Sequence, residues 1–113
     1  RAEVTSLVND TYVNPIYNVQ AAENIWKIIQ LNENGIFHLA GKDRVNRYQF
    51  GVAVAKEFGF DEKLLNSVSS DHFPGIARRM PDTTFDTTKM VKKLKSRPLS
   101  IQQGLEHMKL NAL

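Results

Sequence analysis

Cysteine is absent from the 113 residues, which excludes a disulfide framework, a thiol nucleophile, iron–sulfur ligation and any thiolate zinc site. Histidine is scarce. His38, His72 and His107 are far apart, and no two lie at the spacing of about three to five residues that sets paired imidazoles on one helical face. No metal is expected on this chain. No apolar run approaches the roughly 18–20 residues needed to span a bilayer, and the N-terminus lacks the charged-then-apolar order of a signal peptide. A soluble chain with no membrane partner is expected. The six glycines never assemble a G-x-G-x-x-G turn, so there is no pyrophosphate cradle for a dinucleotide. Gly41-Lys42 has the wrong glycine spacing for a phosphate loop, and Asp43 stands where Ser or Thr would meet magnesium. Tyr12, Tyr17 and Tyr48 each lack a lysine four residues later, which removes a tyrosine–lysine pair able to deliver a proton.

What is present is ordinary in bulk. Hydrophobic, charged and aromatic residues make up 42%, 24% and 9%, close to a typical globular domain. The length fits one domain of roughly 100–150 residues and leaves no room for a nucleotide-binding fold beside a separate substrate lobe. Opening on Arg1, the chain reads as a processed product or a piece of a longer one. Its net charge of +3, from 15 Lys and Arg against 12 Asp and Glu, is too mild for a dedicated nucleic-acid binder. Lys89, Lys92, Lys93, Lys95 and Arg97 gather late in the chain without interleaved aromatics and read as a solvated helical face. No nucleic-acid partner is expected.

The pattern alternates helix with short extended pieces. Glu3 to Val8 is rich in β-branched and aliphatic residues and reads as a strand; Tyr12 to Tyr17 reads as extended chain because Pro15 biases the residue before it. Asn18 offers a cap for a helix over Val19 to about Leu31, in which Ala22, Ile25, Trp26 and Ile29 form one apolar stripe at helical spacing, widened by Ile28. Asn32 to Gly35 stops the helix, and Ile36 to Ala40 is a nearly continuous apolar run, as for a strand covered on both faces. After a turn over Gly41 to Val45, Asn46 and Gln49 form a capping box for a second helix that buries Phe50, Ala53, Val54 and Phe58. Gly59 ends it, Asp61 caps one short turn through Leu65, and Asn66 to Ser70 reads as a brief strand. Asp71 to Thr84, punctuated by Pro74, Gly75 and Pro81, is a surface loop of the kind that carries binding residues. Asp86 or Thr87 caps a third helix burying Met90, Val91 and Leu94; Pro98 closes it, and Ser100 with Gln103 caps a last helix burying Ile101, Leu105 and Met108. Gly104 should weaken that last helix by roughly 1 kcal/mol. One strand buried on both faces cannot make a sheet, so the set of elements looks incomplete.

Few residues suggest chemistry. His38 reads as a core or edge histidine with a satisfied ring, His107 lies on the polar side of the last helix, and His72 sits in the loop without an orienting neighbour. Asp82 and Asp86 read as turn and cap residues rather than an acid–base pair. Arg78-Arg79 stands out. Two guanidinium groups in a Pro- and Gly-bounded loop can fork onto phosphate oxygens, although spacing alone favours solvent exposure with a nearby carboxylate.

The order of three stretches adds to this. Residues 14–65, from NPIYNVQAAENIW to FDEKLL, then ARRMPDTTFDTTKM and RPLSIQQGLEHM, together resemble the C-terminal portion of the dTDP-4-dehydrorhamnose reductase family, in the extended short-chain dehydrogenase/reductase superfamily. The resemblance runs from Asn14 to Met108. It implies an α/β fold that is helix-rich with few short strands: a C-terminal substrate-binding region over residues 1–113 of a Rossmann-type reductase, whose N-terminal NAD(P)-binding domain and catalytic tyrosine and lysine lie outside this chain. It further implies NADPH or NADH in the parent and none here, a nucleotide-sugar substrate, a cytoplasmic setting and an inactive isolated piece. A segment like Gly35 to Ala40 would return to the edge of the cofactor-binding sheet. Left alone, the Ile36 to Ala40 strand is expected to pair with a second copy as a homo-oligomer or to be hidden by rearrangement. RRMPD resembles the family's Arg-Arg-x-x-Asp stretch, which points to Arg79 first and Arg78 second as diphosphate contacts. Asn14, Pro15 and Tyr17 match the segment entering the substrate lobe and are expected to line the sugar pocket. A non-catalytic regulatory or binding module of the same fold, and a sugar-nucleotide epimerase or dehydratase, fit the same resemblance.

Overall fold

The computed structural model describes residues 3–73, 75 and 77–111. Four short strands, β1 (Thr5–Val8), β2 (Tyr12–Val13), β3 (Val45–Asn46) and β4 (Leu65–Val68), accompany four helices, α1 (Asn18–Gln30), α2 (Arg47–Phe58), α3 (Thr88–Leu94) and α4 (Ile101–Leu110). Strands β1 and β4 run parallel, with Thr5 opposite Leu65 and Val8 opposite Val68; β2 and β3 pair antiparallel, Tyr12 opposite Asn46. A parallel pair needs a long crossover, here everything from β2 to α2. Helix α2 packs on β1, β4 and α4, and α1 packs on α3.

Local chemistry sets the helix boundaries. Asn46 Oδ1 accepts from the Gln49 backbone N–H at 2.7 Å while Gln49 Oε1 accepts from the Asn46 N–H at 3.0 Å, and Ser100 with Gln103 repeats the exchange at 3.1 and 2.9 Å. Both capping boxes are those the sequence specifies. Gly59 closes α2 in the left-handed conformation at φ 75°. The start of α1 differs: Tyr17 occupies the cap position with no side-chain bond and Asn18 is already helical. At α3, the Asp86 carboxylate accepts from the Thr88 N–H and hydroxyl at 2.8 and 2.6 Å, while Thr87 holds the cap position without a side-chain bond.

The core is small. Ala40, Ala55, Met90, Leu94 and Leu105 are its buried apolar residues. Phe50, Ala53, Val54 and Phe58 of α2 are only half-buried, as is Ile101, whereas Met108 and Val91 are exposed. Gly104 has a packing reason for its place in α4, because a Cβ there would lie 3.3 Å from the Tyr17 Cβ. Gly41 is tighter still. Its Cβ would fall 1.9 Å from the Pro15 carbonyl oxygen, so only glycine lets the 41–42 segment lie against Asn14 and Leu99, whose carbonyls accept from Gly41 and Lys42.

Three features depart from what the apolar pattern suggests. The apolar stripe of α1 is not buried: Ile25, Trp26 and Ile29 are more than half exposed, at 52%, 64% and 60%. Gln20 and Asn24, on the opposite side of the helix at 3.6 residues per turn, face inward instead. The reason for Gln20 is visible, since its amide donates to the Arg97 carbonyl at 2.6 Å and accepts from the Leu99 N–H at 3.2 Å. Likewise, Ile36 to Ala40 is not a strand covered on both faces. It is unladdered chain in which Ile36 is 76% exposed and only Ala40 is buried. The Lys89 ammonium ties it down, donating to the Ile36 carbonyl at 2.6 Å and lying 4.2 Å from the Phe37 ring centre. His38 is likewise not a core residue; it is exposed and stacks on Phe85 with ring centres 4.7 Å apart.

The outline matches these exposures. The molecule measures 46 × 36 × 17 Å with a radius of gyration of 16.2 Å, against about 13 Å for a compact domain of about 100 residues. It is a flat slab with apolar side chains exposed on its surface. No helix among the described residues is long and apolar enough to cross a membrane.

Candidate functional site

A cleft of about 940 Å³ opens beyond the carboxyl ends of the two parallel strands, the end at which parallel sheets generally present their ligand sites. One wall is the end of β1 and the turn after it, Ser6 to Val8 with Asp10 and Thr11; the other is the segment after β4, with Ser70, Asp71, Phe73, Gly75, Ala77, Arg78 and Arg79. Arg47, the first residue of α2, completes the lining.

The walls are fixed by specific bonds. The Asn9 N–H donates to the Val68 carbonyl at 2.8 Å, extending the ladder by one step, and its side-chain amide reaches Ser67 Oγ at 2.7 Å. The Asp10 carboxylate then accepts from the Ser70 backbone N–H, at 3.1 and 3.0 Å to its two oxygens, and from the Ser70 hydroxyl at 2.9 Å. The backbone bond, helped by the hydroxyl, holds the Asp10 carboxyl below its usual range. Asn46, itself buried, donates its amide to the Asn9 carbonyl at 3.1 Å and anchors the start of α2 to the same turn.

The far end of the arginine-bearing loop is pinned separately. Asp82 accepts from the Thr84 hydroxyl at 2.8 Å and its N–H at 3.1 Å, and from Arg44 Nε at 3.1 Å. The threonine bonds first, and the arginine second, lower its carboxyl. Arg44 in turn lies 4.0 Å from the Tyr12 ring centre. Pro81 and Thr83 bond to the backbone of Tyr12, so the segment after Arg79 is stitched to β2. Asp82 and Asp86 are thus turn residues, each accepting from the threonine two positions on.

Of the residues singled out in the sequence, Arg78 and Arg79 both line this cleft, and neither has a carboxylate partner among the described residues. The other three are elsewhere. Pro15 and Tyr17 line a second, smaller cavity of about 260 Å³ between the 15–18 segment, Phe50 and α4. Asn14 lines neither: its amide nitrogen donates to the Phe85 carbonyl at 2.9 Å and the Gly41 carbonyl at 3.3 Å, and its oxygen accepts from the Phe85 N–H at 3.0 Å. That is a brace between three chain segments. The Tyr17 hydroxyl meets His107 Nδ1 at 3.0 Å. Sequence reasoning overlooked Arg47, Asp10, Ser70 and Phe73 as cleft residues. Arg47 carried a signal, a cation at the first position of a helix whose opening turn has no acid; the others acquire their places only through the parallel pairing of β1 with β4.

Three guanidinium groups and the apolar surfaces of Leu7, Val8 and Phe73 make this cleft suited to a ligand that combines phosphate with a flat or apolar part. Among the described residues no group of three His, Asp or Glu side chains could hold a metal ion.

Comparison with known proteins gives the same direction. Residues 1–112 match the model of a family described as the RmlD substrate binding domain. The dTDP-4-dehydrorhamnose reductase of Aggregatibacter actinomycetemcomitans is 25% identical over 122 residues, covering 97% of this chain and 41% of the relative. The solved dTDP-4-dehydrorhamnose reductase of Bacillus anthracis, in complex with NADP, superposes with a TM-score of 0.85 at 21% identity over 97% of this chain and 39% of that one. The orthologue from Clostridium acetobutylicum superposes at 0.82, with 21% identity over 96% and 39%. The dTDP-glucose 4,6-dehydratase of Bacillus anthracis, in complex with NAD, shares the fold at a TM-score of 0.71 and 13% identity, covering 93% of this chain and 33% of that one. The chain therefore spans about two fifths of the length of the reductases it matches. By this match, the α/β fold and the cleft just described are those of a member of the RmlD substrate binding domain family.

Proposed function

We propose that this chain is the substrate-binding part of an NAD(P)H-dependent reductase that acts on a nucleotide-linked 4-keto sugar of the dTDP-4-dehydrorhamnose type. The observation that carries it is the pair Arg78-Arg79, free of carboxylate partners among the described residues and lining one large cleft. A planar guanidinium matches a diphosphate through two parallel N–H···O bonds, which fixes orientation as well as charge. Arg79 is assigned the diphosphate first and Arg78 supports it. The task of the lobe is to hold the sugar nucleotide in place so that its keto carbon meets a hydride donor, converting an encounter into a fixed geometry. Asn14, Pro15 and Tyr17, expected at the sugar pocket, stand outside this cleft and are given no part in holding the diphosphate.

The residues here do not fit the nicotinamide cofactor. Gly35, Gly41, Gly51, Gly59, Gly75 and Gly104 never gather at one strand-to-helix turn, so the described residues offer no dinucleotide cradle. NADPH or NADH, and the groups that deliver the proton, are assigned to the remaining three fifths of a parent protein, and the chain alone is expected to turn nothing over. The same assignment gives the outward face of α1 and the Ile36 to Ala40 segment a cover, the cofactor-binding domain.

Calorimetric titration of the 113-residue chain with dTDP tests the proposal. Binding should be measurable, weakened about tenfold or more in Arg79→Gln, and only partly retained in Arg79→Lys, since lysine keeps the charge and loses the fork. A wild-type chain with no affinity for dTDP, together with binding to a protein partner, would support a non-catalytic module of the same fold instead.

A further inference from the structure

The cleft holds one cation more than the proposed role uses. Arg47 comes from the packed framework, where Arg78 and Arg79 come from a long loop. Its backbone is held from both sides. Asn46, immediately before it, is buried, donates to the Asn9 carbonyl at 3.1 Å and closes the capping box with Gln49. Arg47 takes no part in either arrangement.

Nothing in folding favours a cation there. The first turn of a helix exposes unpaired N–H groups and the positive end of the backbone dipole, which attracts acids and repels cations. The first turn of α2 contains no acidic side chain to offset this, and Arg47 has no ion-pair partner among the described residues. The neighbouring carboxylates are otherwise placed: Asp10 is engaged by the Ser70 N–H and hydroxyl, and Asp82 by Thr84 and Arg44. Asp71 lines the cleft without forming an ion pair to Arg47. A side chain set against its own helix, unpaired, and lining the cleft that also takes Arg78 and Arg79 is placed for a ligand.

We infer that Arg47 is a third anion-recognising residue of this cleft, contacting the diphosphate of a nucleoside diphosphate alongside Arg79. The inference rests on the substrate-binding role proposed above and divides its labour. Arg47 is presented by an anchored helix and needs little ordering, whereas the loop arginines must be immobilised when the ligand arrives. A diphosphate offers enough non-bridging oxygens for two forked guanidinium contacts, so both can act on the same group.

The test is calorimetric titration of the full 113-residue chain with dTDP and, separately, inorganic pyrophosphate. Wild type is compared with Arg47→Gln, Arg79→Gln and, as a control for bulk charge, Lys92→Gln, an exposed residue of α3. Arg47→Gln should weaken dTDP binding about tenfold and pyrophosphate binding by a similar factor, while Lys92→Gln stays within about twofold of wild type. Thermal melting of Arg47→Gln should be unchanged or slightly raised, because an unfavourable helix charge is removed. If Arg79→Gln weakens dTDP binding and Arg47→Gln does not, this inference fails while the proposed function stands. A marked fall in melting temperature in Arg47→Gln would make the residue structural and overturn the inference too. If the wild-type chain binds neither probe, both fall together.

Discussion

Asn24 is 1% exposed, and neither its amide nitrogen nor its oxygen has a hydrogen-bond partner. Each such buried group carries a desolvation cost of about 1–3 kcal/mol. Leucine has the same branching without the polar atoms, so Asn24→Leu should raise the melting temperature of the isolated chain by about 4 °C or more. A fall in melting temperature would mean that the amide is satisfied in solution. Gln20, one turn earlier, is the contrasting case: both of its amide groups are used, and a similar change there should destabilise. Asp10 gives a pH signature. Its carboxyl is held low by the Ser70 N–H and hydroxyl, so the stabilisation it supplies is present above about pH 4 and is lost as pH falls through the lowered folded value. In Asp10→Asn that component is missing. The mutant should therefore lose less melting temperature than wild type between about pH 5 and about pH 3; parallel losses would contradict the latch. At this scale the candidate site was half legible. Arg78 and Arg79 announce themselves by residue type and by the Pro and Gly that bound their loop, whereas Asp10 and Ser70 are ordinary residues until β1 meets β4.

At the scale of elements, what the sequence made readable was whatever is settled within a few residues. The two capping boxes, the left-handed stop at Gly59 and the turn capped by Asp61 all depend on neighbours in the chain, and all are found where the pattern puts them. Helix α1 shows the limit of periodicity. Ala22, Ile25, Trp26 and Ile29 do share one face, but a stripe states only that a helix has an apolar side. It does not state which layer that side meets, and here it meets none. The Ile36 to Ala40 segment fails in the same way, since a ladder is a property of two strands and its apolar run specifies only one. Both surfaces lie open, with Ile36 and Trp26 at 76% and 64% exposure. Apolar area of this kind drives association when nothing else covers it. Sedimentation velocity over a concentration series should show the isolated chain forming dimers or larger species, and Trp26→Lys should shift the population towards monomer. A wild-type chain that stays monomeric throughout would contradict this.

As a whole, the molecule is a slab with a small core, a radius of gyration larger than its length warrants for a compact domain, and a charged cleft whose walls are carefully tied. These features belong together if the chain is one layer of a larger enzyme. The layer that would complete the core is also the one that would bring the cofactor, and the features completed here, namely the Asp10 latch, the Asn46 anchor and the Asp82 pin, are those that shape the cleft. The proposal that this cleft grips a nucleoside diphosphate is tested most directly by mapping where that ligand sits. Titration of the isotopically labelled chain with dTDP, followed by nuclear magnetic resonance, should move the signals of Arg47, Ser70, Phe73, Arg78 and Arg79 and leave those of Tyr17, Leu105 and Met108 in place. Shifts confined to the second cavity, or no shifts at all, would show that the arginine cleft is not where the substrate is held.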